Sequence, residues 1–354
     1  MMEVIPGIYQ VRLPLPFTPI GEAPMGQVVS QTNIYLIRGN AGWLQVDAGW
    51  NAPETFAAYK GGIKEIGITL EDISEIIITH AHLDHFGLAG KIKGLSGTQL
   101  ALHEKEKYFI EPGDKTFEQI AREMKEWLYK NGTPEDNIPS SQKIPKGPIK
   151  FISPILPDLV FFSGDIGDPD IFFSGGEKIN TGHFDFEVLW TPGHSPGHIC
   201  LYERQKKVLI SGDHILAEIT PEIGFSPFSS SSSDPLGDYI DSLKDLRGLD
   251  VERVLPAHGD CFSHFQGRID ELIQHHENRK ETILQFLGNK PATAYEIASK
   301  LPWMPQKGGI SWIKLDHLNR RMALMETLAH LKILEKEKKV DTSYRDGREF
   351  YSAA

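Results

Sequence analysis

Cysteine is almost absent from this chain: 354 residues contain two, Cys200 and Cys261. Two thiols cannot build a disulfide framework, so the small cross-linked secreted class is excluded and a packed core must hold the fold. No apolar run approaches the roughly 20 residues that a membrane-spanning helix needs. The start, Met1-Met2-Glu3-Val4-Ile5-Pro6, lacks the basic segment and long apolar stretch of a secretory signal. A cytoplasmic protein with no membrane partner is expected. Positive charge is short as well: 37 Lys+Arg stand against 48 Asp+Glu, for a net charge of −11. Such a surface repels phosphate backbones. With 40% hydrophobic residues the chain can bury a large core, and its length suits more than one domain.

What is locally abundant is histidine. His80-Ala81-His82-Leu83-Asp84-His85 places three imidazoles and a carboxylate within six residues. Ile76-Ile77-Ile78-Thr79 before it reads as a buried strand, and Phe86-Gly87-Leu88-Ala89-Gly90 after it as a turn into a helix. The cassette therefore sits at a strand's C-terminal end, where loops diverge and leave a crevice. Packing these polar groups away from water is costly unless something binds them, and a metal answers that need. A divalent ion takes about four donors, more than one short loop can aim at a point. His80 and His82 can share one ion while Asp84 and His85 turn toward a second, so two ions are expected, with further ligands from elsewhere.

Three other strand ends offer donors. Thr191-Pro192-Gly193-His194-Ser195-Pro196-Gly197-His198 follows an apolar strand, Phe186-Glu187-Val188-Leu189-Trp190, as a tight loop that presents imidazole. Val208-Leu209-Ile210-Ser211-Gly212-Asp213 ends in a carboxylate, and Val254-Leu255-Pro256-Ala257-His258-Gly259 carries a histidine.

Together with Asp47 in Trp43-Leu44-Gln45-Val46-Asp47-Ala48-Gly49, these motifs resemble, in order over about residues 1 to 264, those of the metallo-β-lactamase-fold hydrolase superfamily. The resemblance implies an α+β fold: a four-layer αββα sandwich with the metals at one edge between two sheets. It implies that His80, His82 and His194 hold one metal, that Asp84, His85 and His258 hold the other, and that Asp213 bridges them. That pattern is similar to the thioesterase, lactonase and nuclease branches, whereas antibiotic-degrading lactamases commonly use cysteine for the second ion. Cys261 is accordingly read as a core residue. Asp47 and His198 are expected just outside the ligands, Asp47 bonding a ligand histidine or the cassette backbone. His183, His264, His275 and His276 are read as solvated or helix-surface residues. His214 adjoins Asp213 on a strand and should face the other way.

Two ions roughly 3.5–4 Å apart can share a water whose pKa falls toward about 7, and one can polarise a scissile oxygen. A metal-bridging hydroxide then needs no serine or cysteine nucleophile. Asp84, a ligand able to orient or accept the proton of that hydroxide, is the expected catalytic residue. Zinc is the expected metal, with iron or manganese as alternatives, because imidazole and carboxylate accept all three.

Residues from about 104 to 181 exceed a minimal hydrolase domain. Phe117, Ile120, Met124, Trp127 and Leu128 recur at helical spacing, with Gly132 as the stop. A proline-punctuated stretch follows from Pro134 to Pro157, and Phe161, Phe162, Phe172 and Phe173 bracket an acidic Gly-rich turn. The insertion either caps the metal cleft or packs on the sandwich. Ser229 to Ser233 cannot pack a core and reads as a loop near the site or a solvated linker.

Beyond Phe265, Ile269, Leu272, Ile273, His276, Ile283 and Leu287 form a helical stripe, and Thr293-Ala294-Tyr295-Glu296 is a capping box. Leu318, Met322, Met325, Leu328 and Leu331 mark another helix, and two strands flank Asp346-Gly347, a hairpin turn signal. Residues 265–354 resemble a small winged-helix domain. Their 15 Lys+Arg are interleaved with 12 Asp+Glu, so a salt-bridged surface, or a module for homodimerisation and pocket closure, is expected over a nucleic-acid surface.

The leading function is thus a dinuclear metallohydrolase acting on a small-molecule ester, thioester or lactone. The alternative is a single-strand endoribonuclease of the same superfamily. A noncatalytic nucleic-acid-binding regulator ranks third, since structural zinc sites are closed and usually mononuclear.

Overall fold

Apolar runs flanked by turns build the first sheet. The computed structural model describes residues 1–16, 30–110, 116–138, 167–230, 232–288, 290–303 and 309–354. Its first sheet holds β1 (Met2–Ile5), β2 (Ile8–Pro14), β3 (Gln31–Arg38), β4 (Trp43–Val46), β5 (Ile73–Ile77), β6 (Gln99–His103) and β7 (Ile171–Phe173), in that order. Pairing is antiparallel as far as β4 and parallel from β4 to β7. Parallel strands need crossovers, and the helices α1 (Pro53–Ile66) and α3 (Ala89–Ser96) supply them; α2 (Leu83–Phe86) is a single turn inside the histidine cassette. Pro53 opens α1, and Gly67 in the left-handed region closes it.

The second sheet has the order β12 (Arg253–Pro256), β11 (Val208–Gly212), β10 (Ile199–Glu203), β9 (Asp185–Trp190), β8 (Lys178–Asn180). Its pairs are antiparallel except β11 with β12. Ile37, Val46 and Ile77 of the first sheet and Val188, Leu201 and Ile210 of the second share one buried cluster, so the two sheets face each other. Outside the first sheet, Tyr59 and Ile63 of α1 and Ile92 of α3 pack on Leu36 and Ile76. Outside the second, Tyr239 and Leu243 of α6 (Pro235–Leu246) and Phe265 and Leu272 of α7 (Phe265–Leu287) pack on Tyr202 and Leu209.

Helix α7 also leaves this body. Its far end, Ile283 and Leu287, joins a separate cluster with Ile297 of α8 (Ala294–Ala298), Leu324 and Leu331 of α9 (His317–Lys336), and Val340 and Tyr351 of the hairpin β13 (Val340–Arg345) and β14 (Arg348–Ala353). The expected capping box of Thr293 and Glu296 opens α8. The hairpin turns at Asp346 and Gly347, both with positive φ, as a type I′ turn requires. Residue 265, the expected start of the second unit, is the first residue of α7, whose first half packs on the body.

Among the described residues the insertion carries two α-helices, α4 (Lys107–Ile110) and α5 (Phe117–Lys130). Thr116 and Gln119 form the capping box of α5. Its buried side chains Met124 and Leu128 pack into the C-terminal cluster beside Ile283 and Leu324, neither over the metal-ligand cassette nor on the sheets. Gly132 ends the helix at φ 91°, and a Cβ there would collide with Thr293, so glycine lets the insertion dock. The stretch from residue 139 to Pro157, with Phe161 and Phe162, lies outside the described residues. Among the described residues no helix is long and apolar enough to cross a membrane.

Candidate metal centre

Strand direction assembles the site. β4, β5 and β6 run parallel, and β9, β11 and β12 share one direction because β9 and β11 each oppose β10. The segments that follow these strands carry Asp47, the His80 cassette, Glu106, His194, Asp213 and His258. Cross-sheet bonds close the edge: Ile199 N donates to Thr79 O at 2.9 Å, and Asn33 N to Ala257 O at 2.7 Å.

Two donor sets result. His80 Nε2, His82 Nδ1 and His194 Nε2 lie 2.9, 3.0 and 3.1 Å apart. Asp84 Oδ2 lies 3.4 Å from His85 Nε2 and 3.3 Å from His258 Nε2. Asp213 stands between the sets, its Oδ2 3.6 Å from His194 Nε2 and its Oδ1 3.3 Å from His258 Nε2. Each triad could hold a cation, and His80, His85 and Asp213 form a third, overlapping group that could do so.

The donor chemistry fits that group. His194 Nδ1 donates to Glu222 O at 2.8 Å, His258 Nδ1 to Gln31 O at 2.9 Å, and His85 Nδ1 to Asp47 Oδ2 at 2.9 Å. Thr79 Oγ1 gives its proton to Asp47 and so accepts from His80 Nδ1 at 3.1 Å. These partners assign Nδ1–H outward, which turns four Nε2 lone pairs toward the centre. Among the described residues neither His85 Nε2 nor Asp213 Oδ1 finds a hydrogen-bond partner. Buried lone pairs converging without donors are what a cation satisfies.

Charge divides the two sets. Burial, reinforced by neighbouring imidazoles, holds His80 well below the usual histidine range and His82 down to about 3. In the other set burial opposes ionisation of Asp84 and Asp213, yet His85 and His258 hold both carboxyls well below their usual range. Reciprocally, burial disfavours a proton on His258, but Asp213 and Asp84 outweigh it and raise its pKa to about 10. A cation in this set must displace those protons.

Asp47 sits at φ 61°, a strained value for a non-glycine residue, and is buried. Besides His85 it accepts Thr79 N at 2.8 Å, so one carboxylate steadies a donor ring and the strand end before His80. His198 is not in either triad. Its Nε2 accepts Asp213 N at 3.1 Å, and a Cβ on Gly212 would lie 2.6 Å from that nitrogen. His214 faces away, against the Tyr239 ring at 4.8 Å. Cys261 lies 3.9 Å from Tyr35 Oη and outside the donor sets.

One expectation is corrected. His276, read as solvated, is 1% exposed, because Tyr239 and α9 cover it, and its Nδ1 lies 3.1 Å from His330 Nε2. Glu106 escaped the sequence reading altogether. It is buried and accepts Ala81 N at 2.8 Å, Ser195 Oγ at 2.7 Å and Gly197 N at 2.6 Å, tying the His80–His82 segment to the loop of His194. Nothing in residue spacing links Glu106 to Ala81.

A cavity of about 570 Å³ opens beside His82 and His194. Phe109 of α4, Pro196, Phe228 and Met325 of α9 form its apolar wall, and the serine run contributes Ser229, Ser230 and Ser233. The serines thus line the pocket, and Phe225 N, donating to Met325 O at 3.0 Å, fastens the loop to α9.

Comparison with known proteins agrees with this geometry. The family model described as metallo-beta-lactamase superfamily matches residues 28–258. A probable metallo-hydrolase of Bacillus subtilis, YqjP, is 26% identical over 347 residues, 97% of each chain. A solved metallo-beta-lactamase family protein of Thermus thermophilus superposes with a TM-score of 0.76 at 27% identity, covering 99% of this chain and 100% of its own. A beta-lactamase domain protein of Burkholderia ambifaria shares the fold, with a TM-score of 0.71 at 24% identity over 100% of this chain and 94% of its own. With its two triads of donors at the common edge of two facing sheets, the chain belongs to the metallo-beta-lactamase superfamily.

Proposed function

We propose that this metallohydrolase carries two divalent cations, zinc in the first instance, and cleaves a small-molecule ester, thioester or lactone in the cytoplasm. The cavity carries the reading: about 570 Å³ beside His82 and His194 is the size of a small-ligand site, and its wall joins apolar and hydroxyl groups to Lys105, Glu222 and Asp238.

His80, His82 and His194 would hold one cation, Asp84, His85 and His258 the other, and Asp213 reaches both sets. Bound there, the cations supply Lewis acidity and lower the pKa of a shared water. The remaining work falls to the chain. Asp47 fixes the His85 ring and Glu222 O the His194 ring, and Asp84 would orient the attacking water and take its proton. Phe109, Phe228 and Met325 pack the acyl portion and exclude bulk water.

The proposal includes the four-layer αββα reading and a winged-helix-like unit at residues 265–354 that closes the pocket through Met325. Two of its wing cations support this over phosphate binding, because they are paired within the chain: Lys336 with Asp234 at 2.9 Å and Lys339 with Glu337 at 2.7 Å.

The test is turnover by the metal-replete protein of thioesters, lactones and phosphodiesters beside a single-stranded RNA, with Asp84→Ala as control. Acyl hydrolysis lost in the variant, with intact RNA, is the expected result. RNA cleavage lost in the variant would replace the acyl reading with the endoribonuclease.

A further inference from the structure

Resting on the acyl-hydrolase reading, we infer that the substrate carries an anionic group, a carboxylate or phosphate, and that Lys105 at the pocket wall receives it. Lys105 is the one lysine or arginine among the described residues lining the cavity. Its position is built. Nζ lies 3.5 Å from the centroid of the Trp190 ring, and its backbone N–H is accepted by His103 Nδ1 at 3.2 Å. The His103 ring in turn stacks on Trp190, with centroids 5.6 Å apart and planes 12° from parallel. The indole N–H of Trp190 donates to Pro196 O at 2.9 Å, anchoring this group to the loop of His194. Trp190 is 40% exposed, a large apolar side chain left at the surface whose ring serves as a seat for a cation.

Lys93, Lys178 and Lys207 each hold a carboxylate within 3.0 Å, whereas Lys105 pairs with none among the described residues. Two carboxyls, Glu222 and Asp238, line the same cavity; neither is in ion-pair contact with Lys105, burial pushes Glu222 up to about 8, and burial also raises Asp238, which the Lys105 charge opposes. In a chain of net charge −11, a seated ammonium with no carboxylate in ion-pair contact among the described residues, beside an apolar wall, suits an amphiphilic acyl compound. The apolar part packs on Phe109, Phe228 and Met325, the reacting carbonyl faces the donor sets, and the anion meets Lys105.

Three acyl thioesters matched in length, ending in a carboxylate, a phosphate monoester or a neutral methyl group, test this on the metal-loaded full chain. Wild type is expected to favour an anionic member through KM, and added salt to weaken that preference. Lys105→Ala should lower the anionic-to-neutral ratio of kcat/KM about tenfold, Lys105→Arg should restore it, and Lys105→Glu should lower it further. The anionic member that loses more identifies carboxylate or phosphate. A ratio unchanged in Lys105→Ala overturns the inference and leaves acyl hydrolysis standing. If no thioester is turned over, the acyl reading fails, and calorimetry with the carboxylate-ended acyl amide decides the anion site. Weaker binding by Lys105→Glu upholds that site, and equal affinity overturns it.

Discussion

Glu106 and Gly197 are joined by a hydrogen bond of 2.6 Å inside the protein, 91 residues apart in sequence. The same carboxylate receives Ala81 N and Ser195 Oγ. Glu106→Ala leaves three buried donors without an acceptor, each costing about 1–3 kcal/mol. A lower Tm and loss of metal from the His80, His82 and His194 set are expected, with Glu106→Gln restoring part of both. Full metal content in Glu106→Ala, measured by elemental analysis, would show that the loops hold their place without it.

Asp213 is the carboxylate within reach of both donor sets. Asp213→Ala should lose at least one metal and most hydrolysis while remaining folded, as read by metal stoichiometry and circular dichroism. Full activity in that variant would sink the two-metal mechanism. His198→Ala should keep both metals, because His198 bonds the backbone of Asp213 and not its carboxylate.

Burial holds His330 at about 3, below its unfolded value of roughly 6.5. Burial, followed by the charge of His330, places His276 well below its usual range, while His275, Arg279 and Lys280 face the pair. The unfolded chain binds these protons first. Stability is therefore complete above about pH 6.5 and lost as pH falls toward the folded value, by about 1.4 kcal/mol per pH unit for each group. His330→Gln should flatten the fall in Tm between pH 7 and 4.5. Parallel curves for variant and wild type would refute the assignment.

Leu128 buries the last turn of α5 in the C-terminal cluster. Leu128→Ala should cost about 2–5 kcal/mol and speed hydrogen exchange in α5 and β14 together. Faster exchange confined to α5 would mean that the insertion is not part of that cluster's stability.

The ligand loops were legible because each joins an apolar run to a donor residue type at its end, and because parallel strands finish on one edge. His80, His194, Asp213 and His258 all follow that rule. Glu222 O and Gln31 O were not legible, since a carbonyl has no residue type and any sequence supplies one. The stripe of Ile120, Met124 and Leu128 announced that α5 has an apolar partner without naming it, because amphipathicity encodes a face and not its destination. Ser229 to Ser233 left two readings open, a loop near the site or a linker, for a related reason. Small polar residues can wall a cavity when the backbone behind them is fastened, and the bond from Phe225 to Met325 lies outside the run.

The donors span His80 to His258, and His258 depends on β12 pairing beside β11. A nascent chain that has emerged only past residue 85 displays three imidazoles with nothing opposite them, a loose chelator of low selectivity. Selectivity arrives late, when the last donor is brought next to Asp213 by the non-local pairing of β12 with β11. Selective metal binding would then follow finished folding, because a chain stalled before residue 258 lacks the donor that completes the set of Asp84 and His85.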